Sequence, residues 1–247
     1  MFDFSQVKDK EIAEKVREEA RAFMGRCHFG VQGIAKTEAD VTAVLERVLE
    51  FGIFPVAFDT EIVFVPLIKR MLPNDVPIHV AVSYPMGRMT LSKKLKDLDR
   101  MDKIGVRDTC VCLDWQALFS GQYDVIEREA CKIMSEFGDT FLKLAFVIPA
   151  TLMSDTEMLD ALDALDQAGI ISVKVNPGAK LGVSFEEVAF INRNFPGRFD
   201  VHPSGNIRTL GDVERYLELG CETIHTASAL EITECFIQKQ LNKYGGL

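Results

Sequence analysis

A single α/β domain spanning 1–247, folded as a (β/α)8 TIM barrel with an extra N-terminal helix, is the architecture this sequence predicts, and three observations predict it. Short β-branched apolar runs alternate with amphipathic helical stretches, separated only by brief polar or Gly/Pro punctuation. Eight such units fit within 247 residues, an ordinary length for one barrel. No linker, tandem repeat or low-complexity tract divides the chain. A doubly wound sheet is the competitor, but the chain carries no GxGxxG turn and no composition break marking a second domain.

The elements follow in order. A charged amphipathic helix over 8–24 precedes strands at 26–31, 54–58, 78–83, 109–113, 141–147, 172–175, 199–202 and 223–226, each a run of four to eight largely apolar residues. Helical periodicity fills the gaps at 38–51, 62–71, 91–104, 123–137, 155–168, 185–194 and 211–219, and a last helix runs over 229–243. In the first of these, Val41, Val44, Leu45, Val48 and Leu49 make one apolar stripe, as a helix laid on a sheet requires. In a barrel of this kind, chemistry belongs at the C-terminal ends of the strands. Those positions hold His28, Asp59, Tyr84, Cys110 to Asp114, Lys143 to Val147, Lys174 to Gly178, His202 to Arg208 and His225 to Ser228.

Lys174 stands out because it interrupts an apolar strand. Strand parity puts it on the face of Ser172 and Asn176, opposite Val173 and Val175, so it points into the barrel while the valines meet the helices. An amine in a dry pocket has a lowered pKa and attacks carbonyl carbon in its neutral form. The alternative is a strand-end lysine that snorkels to water or pairs with a carboxylate.

The segment HPSGNIRTLGD, residues 202–212, closes the seventh strand and opens a helix. Ser204, Gly205 and Asn206 offer a turn with exposed N–H groups and Arg208 adds a cation, a combination suited to phosphate or another anion. HTASA at 225–229 follows the eighth strand, and barrel enzymes commonly build phosphate sites from these two loops. A plain turn with an N-cap is the simpler reading of the same residues.

A net charge of −9, spread over helical segments, argues against nucleic-acid and anionic-membrane partners. The N-terminus lacks the apolar core of a secretory signal, and the longest apolar stretch, 144–153, is broken by Pro149 and too short for a bilayer. Cys27, Cys110, Cys112, Cys131, Cys221 and Cys235 form no CxxC pair, as expected of reduced thiols in a cytoplasmic protein. Cys110 and Cys112 share a strand face and read as small core residues rather than zinc ligands.

In order and spacing, these segments resemble the deoxyribose-phosphate aldolases, class I enzymes on a (β/α)8 barrel. GVRDTCVCLDWQALFSGQYDVIE (105–127) is similar to that family's fourth strand and following helix, LKLAFVIPATLMSDTE (142–157) to its fifth strand, and VKVNPGAKLG (173–182) to its Schiff-base segment. HPSGNIRTLGDVERYLELGCETIHTAS (202–228) is similar to its phosphate region, and the likeness covers roughly residues 25–235.

The resemblance implies that Lys174 forms the imine. It also marks departures: Cys110 stands where the family has a proton-shuttling carboxylate, His202 where it has a second lysine, and His28 where it has an aspartate. Asn206 and His225 replace phosphate-loop glycines, and Lys143 resembles a further lysine lining the site. Some members end in a tail with a catalytic tyrosine, a role open to Tyr244, although a frayed tail is the simpler reading of NKYGGL.

The leading expectation is therefore a Schiff-base lyase acting on a small anionic, phosphorylated carbonyl compound, with deoxyribose phosphate itself disfavoured by the altered partners. Lys174 is its nucleophile; His202, Cys110, Asp114 and Lys143 assist; Gly178, Ser204, Gly205, Asn206, Arg208, His225 and Ser228 hold the anion. No cofactor is implied, His202 serves as a nearby cation or proton relay, and the barrel is compatible with a homodimer. Two alternatives remain open: a metal enzyme using His28, His202 and His225, and a ligand-binding barrel without catalysis.

Overall fold

The computed structural model describes residues 2–33 and 35–245. Eight parallel strands form the sheet: β1 (Cys27–Gly30), β2 (Ala57–Thr60), β3 (Ile78–Val82), β4 (Asp108–Cys112), β5 (Lys143–Ile148), β6 (Ser172–Val175), β7 (Asp200–Pro203) and β8 (Ile224–Thr226). They run in the order β7-β6-β5-β4-β3-β2-β1-β8, and a bridge between Ser204 and His225 draws the two edges together into a nearly closed barrel. Around it lie α1 (Lys10–Met24), α2 (Glu38–Phe51), α3 (Val65–Met71), α4 (Leu91–Lys103), α5 (Trp115–Phe119), α6 (Tyr123–Phe137), α7 (Asp155–Gln167), α8 (Phe185–Asn194), α9 (Leu210–Glu218) and α10 (Ala229–Tyr244).

Local chemistry explains most boundaries. Reciprocal capping boxes, Thr37 with Asp40, Ser154 with Glu157, Ser184 with Glu187 and Thr209 with Asp212, satisfy the free N–H groups that start α2, α7, α8 and α9. The stretch expected to be one helix over 62–71 divides into a 3-10 turn (Ile62–Phe64) and α3, because Pro66 sits in the first turn of a new helix. Trp115–Phe119 adds a short helix capped by Asp114. The second strand lies later than the apolar run suggests: Pro55 has no N–H to give a ladder, so pairing starts after it, and the register with β3 runs on to Thr60 and carries Asp59 onto the strand. The fourth strand begins one residue earlier than expected, at Asp108.

Outward-facing strand residues such as Phe58, Val111, Phe146, Val173 and Val175 join the helices in one large apolar core. The barrel interior is different. It holds all four histidines of the chain, His28, His79, His202 and His225, together with Asp59, Asp108 and Lys174, all buried. Beside this polar group, Cys110, Cys112, Ala145 and Val147 form a separate small apolar cluster with Ala81. Among the described residues, the six cysteines are unpaired and no helix is long and apolar enough to cross a membrane.

Candidate active site

Lys174 points into the barrel as strand parity demands, and only 3 % of it is exposed. Its Nζ lies 3.4 Å from Oδ2 of Asp59, across the barrel on β2. Burial, the largest single influence, pushes the ammonium toward neutrality, but Asp59 together with Cys110 and Cys112 outweighs it and holds Lys174 above the ordinary lysine value. The expected lowered pKa is therefore corrected: in the resting chain the amine is a paired cation.

Asp59 is the hub of the interior. Its Oδ1 is 3.0 Å from Nδ1 of His28 and its Oδ2 is 2.8 Å from Nδ1 of His225. Burial alone would raise its pKa, yet Lys174, His225 and His79 hold it well below the carboxylate range. A second carboxylate, Asp108, lies 2.6 Å from Nδ1 of His79 through Oδ1 and 3.4 Å from Nε2 of His28 through Oδ2. Burial would discharge His79, but the carboxylates of Asp59 and Asp108 raise it to about 10, and its Nε2 faces the Cys110 sulfur at 3.3 Å. His225 behaves oppositely: burial, reinforced by the Lys174 ammonium, holds it well below the ordinary imidazole value, and its Nε2 is buried without a hydrogen-bond partner among the described residues.

His202 is the lateral neighbour of Lys174 in the sheet register. Its Nε2 meets Oδ2 of Asp200 at 2.7 Å. Burial lowers its pKa in spite of that carboxylate, which favours the neutral imidazole and the proton-relay side of the expectation. Lys143 is also displaced from its expected place. It is the first residue of β5, at the N-terminal side of the barrel, where Nζ donates to Thr223 Oγ1 at 2.7 Å and lies 3.8 Å from Asp200. Asp114 accepts the Gln116 N–H at 2.9 Å as the N-cap of α5.

The anion loops are only partly as expected. The N–H groups of Arg208 and Thr209 are already taken by Oδ2 of Asp212, at 3.2 and 3.0 Å, so the chain's own carboxylate fills the start of α9. The Ser228 N–H is held by Thr226 Oγ1 at 3.0 Å, and Arg208 is exposed. His225 turns inward to Asp59 rather than narrowing an anion cup. Asn206 lies against Gly182, leaving no room for a Cβ there. What remains is a tighter niche: Gly178 at positive φ, with its side-chain direction about 4.0 Å from both Ser204 Oγ and Tyr84 OH, and, in the loop that carries Ser204, the N–H groups of Gly205 and Asn206, which have no hydrogen-bond partner among the described residues.

The metal trio expected of His28, His202 and His225 is not the one the structure assembles. His202 is drawn off by Asp200, and His79 with Asp59 joins His28 and His225 instead, one donor atom from each lying within 4.8 Å of the others. Tyr244 ends α10 with its hydroxyl on Glu19 at 2.7 Å, on the α1 side of the barrel; residues 246–247 of the tail lie outside the described residues. His79 and Asp108 are the residues sequence reasoning missed, although strand parity with Ala81 and Cys110 would have placed both inside.

No protein-family model matches the chain. Over 203 residues it is 27 % identical to a deoxyribose-phosphate aldolase of Caldanaerobacter subterraneus subsp. tengcongensis, covering 80 % of this chain and 86 % of that protein. Among solved structures it is similar to QR15, an aldolase, with a TM-score of 0.80 at 22 % identity over 89 % of this chain and 98 % of that one. A tetrameric deoxyribose phosphate aldolase from Aeropyrum pernix superimposes with a TM-score of 0.75 at 19 % identity, covering 93 % and 98 %. These likenesses agree with the barrel seen here.

Proposed function

We propose that this chain, a divergent relative of the deoxyribose-phosphate aldolases, is a class I lyase that cleaves or forms a carbon–carbon bond in a small anionic carbonyl compound through an imine on Lys174. The observation that carries the reading is an inward lysine on β6, buried and set between a carboxylate, Asp59, and a neutral imidazole, His202.

Asp59 orients the ammonium, and the imidazole of His202 accepts its proton as substrate enters and returns it to the hydroxyl formed from the carbonyl oxygen. The neutral amine adds to the carbonyl carbon, the carbonyl oxygen leaves as water, and an iminium results. Cleavage of the bond β to the iminium carbon sends its electron pair into an enamine, while the β-hydroxyl proton passes to His202 and an aldehyde departs. Reprotonation of the enamine and attack of water return the amine and release the second carbonyl product. The small apolar wall of Cys110, Cys112, Ala145 and Val147 suits a short, unbranched donor, because Val147 is Lys174's neighbour on β5. Ser204, Tyr84 and the N–H groups of Gly205 and Asn206 suit a phosphate or carboxylate on the other end. The substrate is thus a short hydroxy-carbonyl compound that carries a phosphate or carboxylate at the far terminus.

The test is hydrogen exchange in deuterated water, followed by NMR on acetaldehyde, acetone, pyruvate and dihydroxyacetone phosphate. The reading expects protein-dependent exchange of the α-protons of at least one of them and its loss in K174M. Absence of exchange with all four would overturn it.

A further inference from the structure

Four adjacent strands in the sheet order, β8, β1, β2 and β3, each send one metal-competent side chain to the same point inside the barrel: His225, His28, Asp59 and His79. All are buried, and one donor atom from each lies within 4.8 Å of the rest. Four ligands about a tetrahedral transition ion stand roughly 3.3 Å apart, given bonds of about 2.0 to 2.1 Å. Contraction of the widest of these separations by up to about 1.5 Å therefore closes the group on an ion.

The surroundings match what a metal centre needs. Asp108 stands behind two of the rings, 2.6 Å from His79 Nδ1 and 3.4 Å from His28 Nε2, where a carboxylate fixes the tautomer and orientation of ligating imidazoles. Asp59 already bridges Nδ1 of His28 and Nδ1 of His225 at 3.0 and 2.8 Å. The Cys110 sulfur, 3.3 Å from His79 Nε2, is a further soft donor at the edge of the group. Three imidazoles and one carboxylate favour zinc, cobalt, iron or manganese over the hard cations magnesium and calcium, which prefer all-oxygen shells.

We propose that His28, Asp59, His79 and His225 form a binding site for one divalent transition-metal cation in the barrel interior, with Asp108 as the positioning residue for His28 and His79. The site shares Asp59 with Lys174, so the cation and the lysine compete for one carboxylate. Metal binding does not depend on imine chemistry at Lys174, and the two readings are separable by experiment.

The test begins with untagged protein stripped by chelator and dialysed against Zn2+ or Co2+ in separate arms, with bound metal measured by elemental analysis. The expected result is one equivalent per chain, retained in K174M and in the C131S/C235S variant, which removes the two exposed thiols. Co2+ should give the intense visible bands of a four- or five-coordinate site. H79Q and H225Q should each weaken binding at least tenfold, and D108N by a smaller factor, with the fold checked by circular dichroism. Failure of the wild-type chain to retain metal, a weak octahedral cobalt spectrum, or stoichiometry unchanged in folded H79Q and H225Q would each overturn the proposal. The cobalt spectrum needs no variant, so the test survives if a substitution prevents folding.

Discussion

Asp59 and Lys174 face each other across the barrel, Oδ2 to Nζ at 3.4 Å, from strands β2 and β6 that share no hydrogen bond. Neither group reaches solvent to any useful extent. A charge removed from water without a partner costs several kcal/mol, so the pair is a mutual condition for the interior to exist.

The first prediction follows from that dependence. D59N removes the counter-ion of a buried ammonium and the acceptor of His28 and His225, and should cost about 3 to 5 kcal/mol in chemical denaturation. K174M leaves Asp59 with both histidines and should cost less. In the double variant the losses should fall short of their sum by roughly 1 to 3 kcal/mol. Simple additivity would show that the pair contributes nothing as a pair.

Gly205 provides the second. It sits at φ 89°, and a Cβ built there would lie 2.3 Å from the Leu181 carbonyl oxygen, so the loop after β7 touches the loop after β6 at this point. G205A should push the two loops apart and disturb the anion niche. With a phosphorylated substrate KM should rise by about tenfold, equivalent to roughly 1.4 kcal/mol, while turnover of an uncharged short aldehyde changes little. Equal losses on both substrates would place the effect elsewhere.

Acid sensitivity of α9 is the third. Partial burial tends to raise the Asp212 pKa, but hydrogen bonds from Thr209 and from the N–H groups of Arg208 and Thr209 lower it below the ordinary carboxylate value. A carboxyl depressed in the folded state stabilises the fold above its unfolded pKa of about 3.9 and loses that contribution as pH falls through the folded value. D212N should therefore flatten the stability profile below about pH 4, as read by urea midpoints. T209A should cost about 1 kcal/mol at neutral pH through the lost cap. An unchanged acid limb in D212N would contradict this assignment.

Much of this architecture is legible in the chain itself. Val173 and Val175 flanking Lys174 set its face by parity alone, and helical stripes such as Val41, Leu45 and Val48 show which side meets the sheet. The charge network inside is less legible for physical reasons. Asp59 and Asp108 lie at strand ends, where pairing is decided by Pro55 and by the neighbouring strand rather than by apolar content. Barrel closure brings β8 beside β1, so His225 and His28 meet although 197 positions apart, as the barrel topology read from the sequence implies, whereas His79 and Asp108 join them unforeseen. Lys94 shows the same limit. It belongs to a charged segment that reads as a solvated face, yet it is fully buried, 2.5 Å from Glu129 on α6 and 3.0 Å from the Cys112 carbonyl. Buried lysines are thus of two kinds here, one locked between helices and one aimed into the barrel.

Covalent capture at Lys174 tests the central claim most directly. The protein is incubated with short aldehydes and ketones, with and without a terminal phosphate, reduced with borohydride, digested and mapped by mass spectrometry. A reduced adduct on the peptide containing Lys174, absent in K174M and unaffected at Lys94, is the predicted result. Adducts scattered over surface lysines, or none on Lys174 with any carbonyl compound, would contradict it.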